Sequence, residues 1–155
     1  MLYIAHRGNI NGRDPETENS PSQIDRCIEL RYAVEVDMRM HNDKPYFGHD
    51  EPKYETNAEW LLERKNSLWV HCKDKESLRY LHGLKNINFF WHQSDDYTIT
   101  SFGYLWAFPG KEPVGNFCVL VLPERYFTME ESIKKPCIAI CTDYVTDFQN
   151  LINNK

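Results

Sequence analysis

Tyr32-Ala33-Val34-Glu35-Val36-Asp37-Met38 decides the reading of this chain. Its β-branched and apolar residues predict a strand, and alternation along it puts Glu35 and Asp37 on one face. Two carboxylates are thus aimed at one place. Like charges at close range in a folded core repel and push one carboxyl toward its neutral form, so something positive should sit between them. An acidic pair on an apolar strand favours a divalent cation over a structural salt bridge.

Upstream, Leu2-Tyr3-Ile4-Ala5 ends at His6-Arg7-Gly8, the pattern of a buried strand feeding a glycine-containing loop. The following loop is polar and closes on Glu18-Asn19. Ser20 stands as a helix N-cap with Pro21 at the first helical position and Gln23 at the capping-box position, which predicts a helix over 21–31. Ile24, Cys27, Ile28 and Leu30 would supply its buried face.

Downstream, Lys44-Pro45-Tyr46-Phe47-Gly48 reads as a short extended piece that delivers His49-Asp50 close to the end of the acidic strand. A brief helix is expected over 59–65, a strand over 68–73 with His71 and Lys73 on one face, and a helix over 75–82 closed by Gly83. Further strands are expected over 87–91, 103–107, 117–122 and 137–141, with little helix in the second half. Strands that alternate with helices and end in polar residues fit parallel βα units with a site at the carboxyl ends of the strands.

Seven or eight strands suffice for a closed barrel. The 155 residues fall well below the roughly 250 usual for a (β/α)₈ barrel, so outer helices must be missing or shortened. The expected fold is α/β, a compact TIM-like β/α barrel with reduced outer helices in the C-terminal half. It should form a single domain over 1–155.

A formal net charge of -5 argues against nucleic acid or an anionic lipid surface as partner, since binding many phosphates needs a basic face. Any phosphate must be gripped locally. No stretch approaches the roughly 18 to 20 apolar residues of a membrane span, and the apolar run at residues 1–5 is too brief for a signal peptide. The expectation is a cytoplasmic protein without stable membrane insertion. The five cysteines, Cys27, Cys72, Cys118, Cys137 and Cys141, form no C-x-x-C pair and read as reduced, buried thiols. Ser101 and the other hydroxyls lack a nucleophile-elbow context, which disfavours covalent serine catalysis.

Ala5-His6-Arg7-Gly8, Glu18-Asn19, Glu35-Val36-Asp37, His49-Asp50 and the later strand ending in Lys73 resemble, in order and spacing, the glycerophosphodiester phosphodiesterase family. That family lies within the phospholipase C-like phosphodiesterases, which are built on TIM barrels. Ile140-Cys141-Thr142-Asp143-Tyr144 is similar to the family's last strand, which typically carries a Thr-Asp pair. The specific part of the resemblance covers about half of the chain, and residues 89–133 match only as a loose strand pattern.

The resemblance implies His6 and His49 as general acid and base, Arg7 and Lys73 as phosphate holders, and Glu35 and Asp37 as ligands of Mg²⁺, Ca²⁺ or Mn²⁺. The family's third carboxylate ligand usually lies two residues before the lysine, where this chain has His71. An imidazole there would favour Mn²⁺, Zn²⁺ or a similar borderline ion. Glu18 or Glu124 would be the alternative source of the missing oxygen. For His71 itself, ligand and hydrogen-bonded barrel residue are the two readings.

The expected activity is metal-dependent hydrolysis of a small-molecule phosphodiester, with a glycerol-like or sugar alcohol and two-histidine acid/base catalysis. A non-catalytic phosphate or phospho-sugar binding module and a lyase releasing a cyclic phosphate are the alternatives. Trp91, Gln93, Trp106 and Glu124 end later strands, where a barrel presents substrate-contacting groups, although packing suits the tryptophans equally well. His41, His82 and His92 read as surface or structural residues. Nothing in the sequence specifies an oligomeric state.

Overall fold

A computed structural model describes residues 1–153. Ten strands are present: β1 Leu2–His6, β2 Ala33–His41, β3 Lys44–Phe47, β4 Tyr54–Glu55, β5 Leu68–Cys72, β6 Asn88–Trp91, β7 Tyr97–Ile99, β8 Leu105–Ala107, β9 Cys118–Val121 and β10 Ala139–Thr142. The helices are α1 Pro21–Glu29, α2 Ala58–Glu63, α3 Lys75–His82, α4 Met129–Ser132 and α5 Val145–Asn153. Eight strands make one curled sheet in the order β6, β5, β2, β1, β10, β9, β8, β7. The first seven are parallel and β7 runs antiparallel to β8.

The closed barrel expected from the strand count is not what forms. The sheet curls like a TIM-like barrel but stays open between β6 and β7, and no ladder pairs these edges. The physical reason is the antiparallel β7. It leads into β8 as the first arm of a hairpin, only three residues long, too short to offer β6 a full set of ladder groups. Ser101 clips the gap instead. Its amide donates to Phe89 O at 2.8 Å, and its hydroxyl accepts from Phe89 N at 3.0 Å and donates to Ile87 O at 2.9 Å.

Alternation on the strands sorts two cores. Ala33 of β2, Trp69 of β5, Phe90 of β6, Trp106 of β8, and Val119 and Val121 of β9 fill the inside of the curl. Val34, Val36 and Met38 of β2 and Val70 of β5 point outward against residues of α1, α2 and α3, including Ile24, Leu61 and Leu81. On the β9 and β10 side, Leu120 and Ile140 are covered by Phe148 of α5. The helical cover is thin between β6 and β9, which is where the chain economises on length.

Local signals explain the element ends. Ser20 Oγ accepts from Gln23 N at 3.3 Å with Pro21 at N1. Gln23 does not complete a capping box. Its side-chain amide donates to Gly8 O at 2.8 Å, tying α1 to the loop after β1. Asp74 caps α3 through Ser77 N at 2.7 Å and also accepts from Met40 N at 3.0 Å, so one carboxylate starts a helix and steadies β2. All five cysteines are free thiols, four of them buried. Among the described residues no helix is long and apolar enough to cross a membrane.

Candidate active site

Strand register builds the site. In parallel pairing His6 lies opposite Glu35, and Asp37 lies opposite His71. All four side chains therefore rise at neighbouring heights at the carboxyl end of the curled sheet. Glu35 and Asp37 are buried, at 2% and 1% exposure. Such burial of acids demands partners of opposite sign.

Those partners are present. Arg7 Nε lies 2.9 Å from Asp37 Oδ2, out of line for a hydrogen bond, and Arg7 Nη1 donates to Glu18 Oε2 at 3.3 Å. Arg7 itself sits in the left-handed region with φ 54°. That turn aims its backbone N–H at Glu35 Oε2, 3.1 Å away. His71 Nδ1 faces Glu35 Oε1 at 3.6 Å and Asp37 Oδ1 at 3.3 Å, and Lys73 Nζ is 3.7 Å from Asp37 Oδ1. Asn19 clamps Asp37 from the other side, donating to Oδ2 at 3.1 Å and accepting from the Asp37 amide at 2.8 Å.

Charge sets the protonation states. Burial opposes ionisation of Asp37, but the His71 bond and the nearby Arg7 and Lys73 outweigh it and hold the carboxyl well below the usual range. Burial likewise opposes protonation of His71, yet bonds and charge from Asp37 and Glu35 raise it to about 9. Its other nitrogen, Nε2, lies 2.9 Å from His92 O, an acceptor that requires Nε2 to carry a proton. When neutral, His71 thus keeps its Nδ1 lone pair turned toward the two acids.

His6 is held by a second acid. Its Nδ1 is 2.7 Å from Asp143 Oδ1, and its Nε2 is 4.0 Å from Glu35 Oε2. Burial lowers its proton affinity, but Asp143 and Glu35 together reverse this and raise its pKa. Asn9 Nδ2 donates to Asp143 Oδ1 at 2.8 Å and to Glu18 Oε1 at 3.0 Å. Glu124 Oε1 accepts from the Asp143 amide at 2.9 Å.

His49 comes from the loop after β3. Gly48 has φ +147°, and a Cβ on it would meet Glu51 O at 2.0 Å, so only glycine fits. Arg39 donates from Nε to Gly48 O at 3.2 Å and from Nη2 to His49 O. His49 Nδ1 pairs with Asp50 Oδ1 at 2.7 Å. His6, His49, Arg7, Glu35, His71 and Lys73 all line one cavity of about 330 Å³.

Of the residues singled out in the sequence, Glu35, Asp37 and His71 form a cluster whose ligand atoms lie within 4.8 Å of one another. Glu18 stands outside it, paired with Arg7, Asn9 and Arg13. Glu124 also stands outside it and braces Asp143. Trp91, Gln93 and Trp106 line the cavity. His92 does so as well, with Nε2 2.5 Å from Asp95 O, a structural bond at the cavity wall. The sequence did not assign Asp143 to His6, nor Asn9 and Arg125 to the site, where Arg125 lines the cavity with Nη2 3.8 Å from Asp143 Oδ2. The first was within reach, since two parallel strands each ending in a polar residue place those ends side by side.

No family model matches the sequence, and no curated protein is similar to it. Among solved structures, the fold is similar to the crystal structure of a "putative glycerophosphodiester phosphodiesterase" from Galdieria sulphuraria. The two are 12% identical with a TM-score of 0.50, and the match covers 99% of this chain and 98% of that one. The chain therefore shares, over essentially its whole length, the fold of that structure, and the curled α/β sheet is compatible with the TIM-like barrel that the resemblance of its motifs implied, except that it is open.

Proposed function

We propose that this protein hydrolyses a small phosphodiester with a divalent cation held by Glu35, Asp37 and His71. The observation that carries the reading is the convergence of His6, His49, Arg7 and Lys73 on one cavity with Glu35 and His71, and with Asp37 buried beside those two in the same cluster. The likeness to a glycerophosphodiester phosphodiesterase fold supports it.

The residues fit a cation. Asp37 Oδ1 is buried and accepts no well-aligned hydrogen bond, its cationic neighbours His71 Nδ1 and Lys73 Nζ standing 3.3 and 3.7 Å away, so it keeps lone pairs that a cation between the acids would use. His71 Nε2 is committed to a carbonyl, which leaves Nδ1 as a ligand in the arrangement usual for metal-bound imidazole. A nitrogen in the donor set favours Mn²⁺ or Zn²⁺ over Mg²⁺ or Ca²⁺. When bound, such an ion supplies Lewis-acid neutralisation of a non-bridging phosphate oxygen.

The chain's own groups do the rest. A phosphodiester anion repels nucleophiles, so Arg7 and Lys73 neutralise it and orient it. One of His6 and His49 removes a proton from the attacking water, or from a substrate hydroxyl next to the ester if a cyclic phosphate forms first, and the other protonates the departing alkoxide. Asp143 holds His6 by its Nδ1, so that Nε2 faces the cavity for either task. One alcohol of the ester is glycerol-like or a sugar.

A second reading rests on one observation. Arg7, His71 and Lys73 already surround Asp37, so the acids have cationic partners of their own and the pocket would serve as a phosphate binder without turnover. Chelation followed by metal titration separates the two, with bis(p-nitrophenyl) phosphate and glycerophosphodiesters as substrates. We expect activity to vanish with the chelator, to return with Mn²⁺, and to fall at least a hundredfold in His6→Ala and in His49→Ala. Turnover indifferent to the chelator and to both substitutions overturns the proposal. Phosphorus NMR of the product then distinguishes a monoester from a cyclic phosphate.

A further inference from the structure

We propose that the half of the cavity remote from the acidic cluster is a subsite for a ring-sized apolar alcohol on the phosphodiester, selected by Trp106 and Phe108. This rests on the phosphodiesterase reading above and narrows its substrate class.

The cavity has two chemically distinct ends. His6, Arg7, His49 and Lys73 of its lining come from the ends of β1, β3 and β5, while Trp106, Phe108, Val121 and Leu122 come from β8, β9 and the residues after them, on the other arm of the curled sheet. Trp106, Val121 and Leu122 are each only 4% exposed, so this wall belongs to the core and is not a loose rim. These four side chains offer one hydrogen-bonding group, the indole N–H of Trp106. Of the polar residues that share the lining, His92 is bonded to Asp95 O, Arg125 lies 3.8 Å from Asp143 Oδ2, and Gln93 follows β6. A polyol pressed against such a wall leaves water hydrogen bonds that are not replaced, whereas an apolar ring leaves none behind.

The wall is also stiff. Trp106 stacks on Phe90 with centroids 4.4 Å apart and planes at 29°, and Phe90 stacks on His71 at 4.9 Å and 14°. The indole is thus fixed by the same aromatic column that carries a ligand of the acidic cluster. Phe108 meets His92 edge-on at 5.5 Å and 85°, and its amide donates to Asp96 O at 2.8 Å. A ligand ring entering this slot orders little that is not already ordered.

Size selects a ring over a chain. The cavity of about 330 Å³ corresponds to roughly eleven waters at about 30 Å³ each. A phosphate against Arg7 and Lys73 takes part of that space, and the remainder suits a single six-membered ring. An extended acyl chain does not fit inside it.

Two measurements test the assignment. The first compares kcat/KM for glycerol phosphodiesters whose second alcohol is benzyl alcohol or glycerol, leaving groups of similar basicity, so that the pocket and not leaving ability is read. The benzyl diester should be favoured at least tenfold, and Phe108→Ala should bring the ratio toward one while circular dichroism is unchanged. The second is equilibrium binding of benzylphosphonate against 2,3-dihydroxypropylphosphonate, neither of which has a scissile ester, followed by tryptophan fluorescence. Benzylphosphonate should bind at least tenfold more tightly. If neither diester turns over yet benzylphosphonate is preferred, the phosphodiesterase reading falls and the subsite stands. Equal binding of the two phosphonates, or tighter binding of the diol, overturns the subsite whatever the turnover.

Discussion

His6 Nδ1 lies 2.7 Å from Asp143 Oδ1, a bond between residues 137 apart in sequence. It follows from register. Strands β1 and β10 are parallel with Ala5 opposite Thr142, so the next residue on each meets its counterpart. The bond sets the tautomer of His6 and turns Nε2 toward Glu35 and the cavity. Asp143 is in turn oriented by Asn9 and by Glu124, which makes the imidazole the inner end of a chain of fixed hydrogen bonds.

Replacing Asp143 by Asn should therefore lower kcat by about 10² to 10⁴, the range of one positioned acid/base group, with a much smaller effect on KM. The pH profile gives a readout that simple loss of packing would not. Asp143 and Glu35 raise the pKa of His6 against the opposing effect of burial. The limb of the rate profile that belongs to His6 should move to lower pH in Asp143→Asn. An unchanged profile would show that His6 does not titrate in the rate-determining step.

Metal binding should be coupled to proton release from His71. In the metal-free protein its pKa is raised from 6.5 to about 9, so below that pH an imidazolium occupies the space between the acids. A cation must displace that proton, and apparent affinity should rise with pH until about 9. Calorimetry in buffers of different ionisation enthalpy reads the proton directly. The stability linkage has the opposite sign. A raised folded-state pKa stabilises fully below 6.5 and is lost as pH passes about 9, so the metal-free melting temperature should fall across that window. His71→Gln should flatten both dependences.

Gly48→Ala tests how His49 is delivered. With φ +147° and a Cβ that would lie 2.0 Å from Glu51 O, the substitution must move the backbone and should cost about 1–3 kcal/mol. The displaced loop carries His49, so kcat should drop along with stability. Gly103→Ala is the control. It shares a positive φ of 85°, but its added Cβ meets nothing within 4 Å, and it should leave activity intact.

The acidic pair, the histidine loops and the helix over 75–82 were legible because each depends on local pattern: alternation for Glu35 and Asp37, a closing glycine for α3. Other features depend on long-range geometry. Helix α5 starts at Val145 and is held by burying Val145 and Phe148. The sequence pattern puts Glu124 at the end of a strand, but β9 stops at Val121, Leu122 turns the chain into the left-handed region with φ 46°, and Glu124 lies in a 3-10 turn over Pro123–Arg125 that brings its carboxylate to the Asp143 amide. Nothing in the local residue pattern announces that turn. The open sheet was hidden for the same reason, since β7 shows neither a long apolar run nor alternation.

That opening yields the most direct test of the architecture. Ser101 spans the gap between β6 and the segment after β7 with its amide and hydroxyl, and Thr98 Oγ1 adds a bond to Trp91 O at 2.9 Å. Ser101→Ala removes both hydroxyl bonds and leaves the amide bond to Phe89 O. The expected loss is about 1–2 kcal/mol, read as a lower denaturant midpoint at unchanged slope. Hydrogen exchange should quicken at Phe89, whose amide loses its acceptor, and stay slow at Val36 and Val70 in the continuous part of the sheet. If protection falls equally across all strands, the sheet opens as one cooperative unit and the seam is not its weak point.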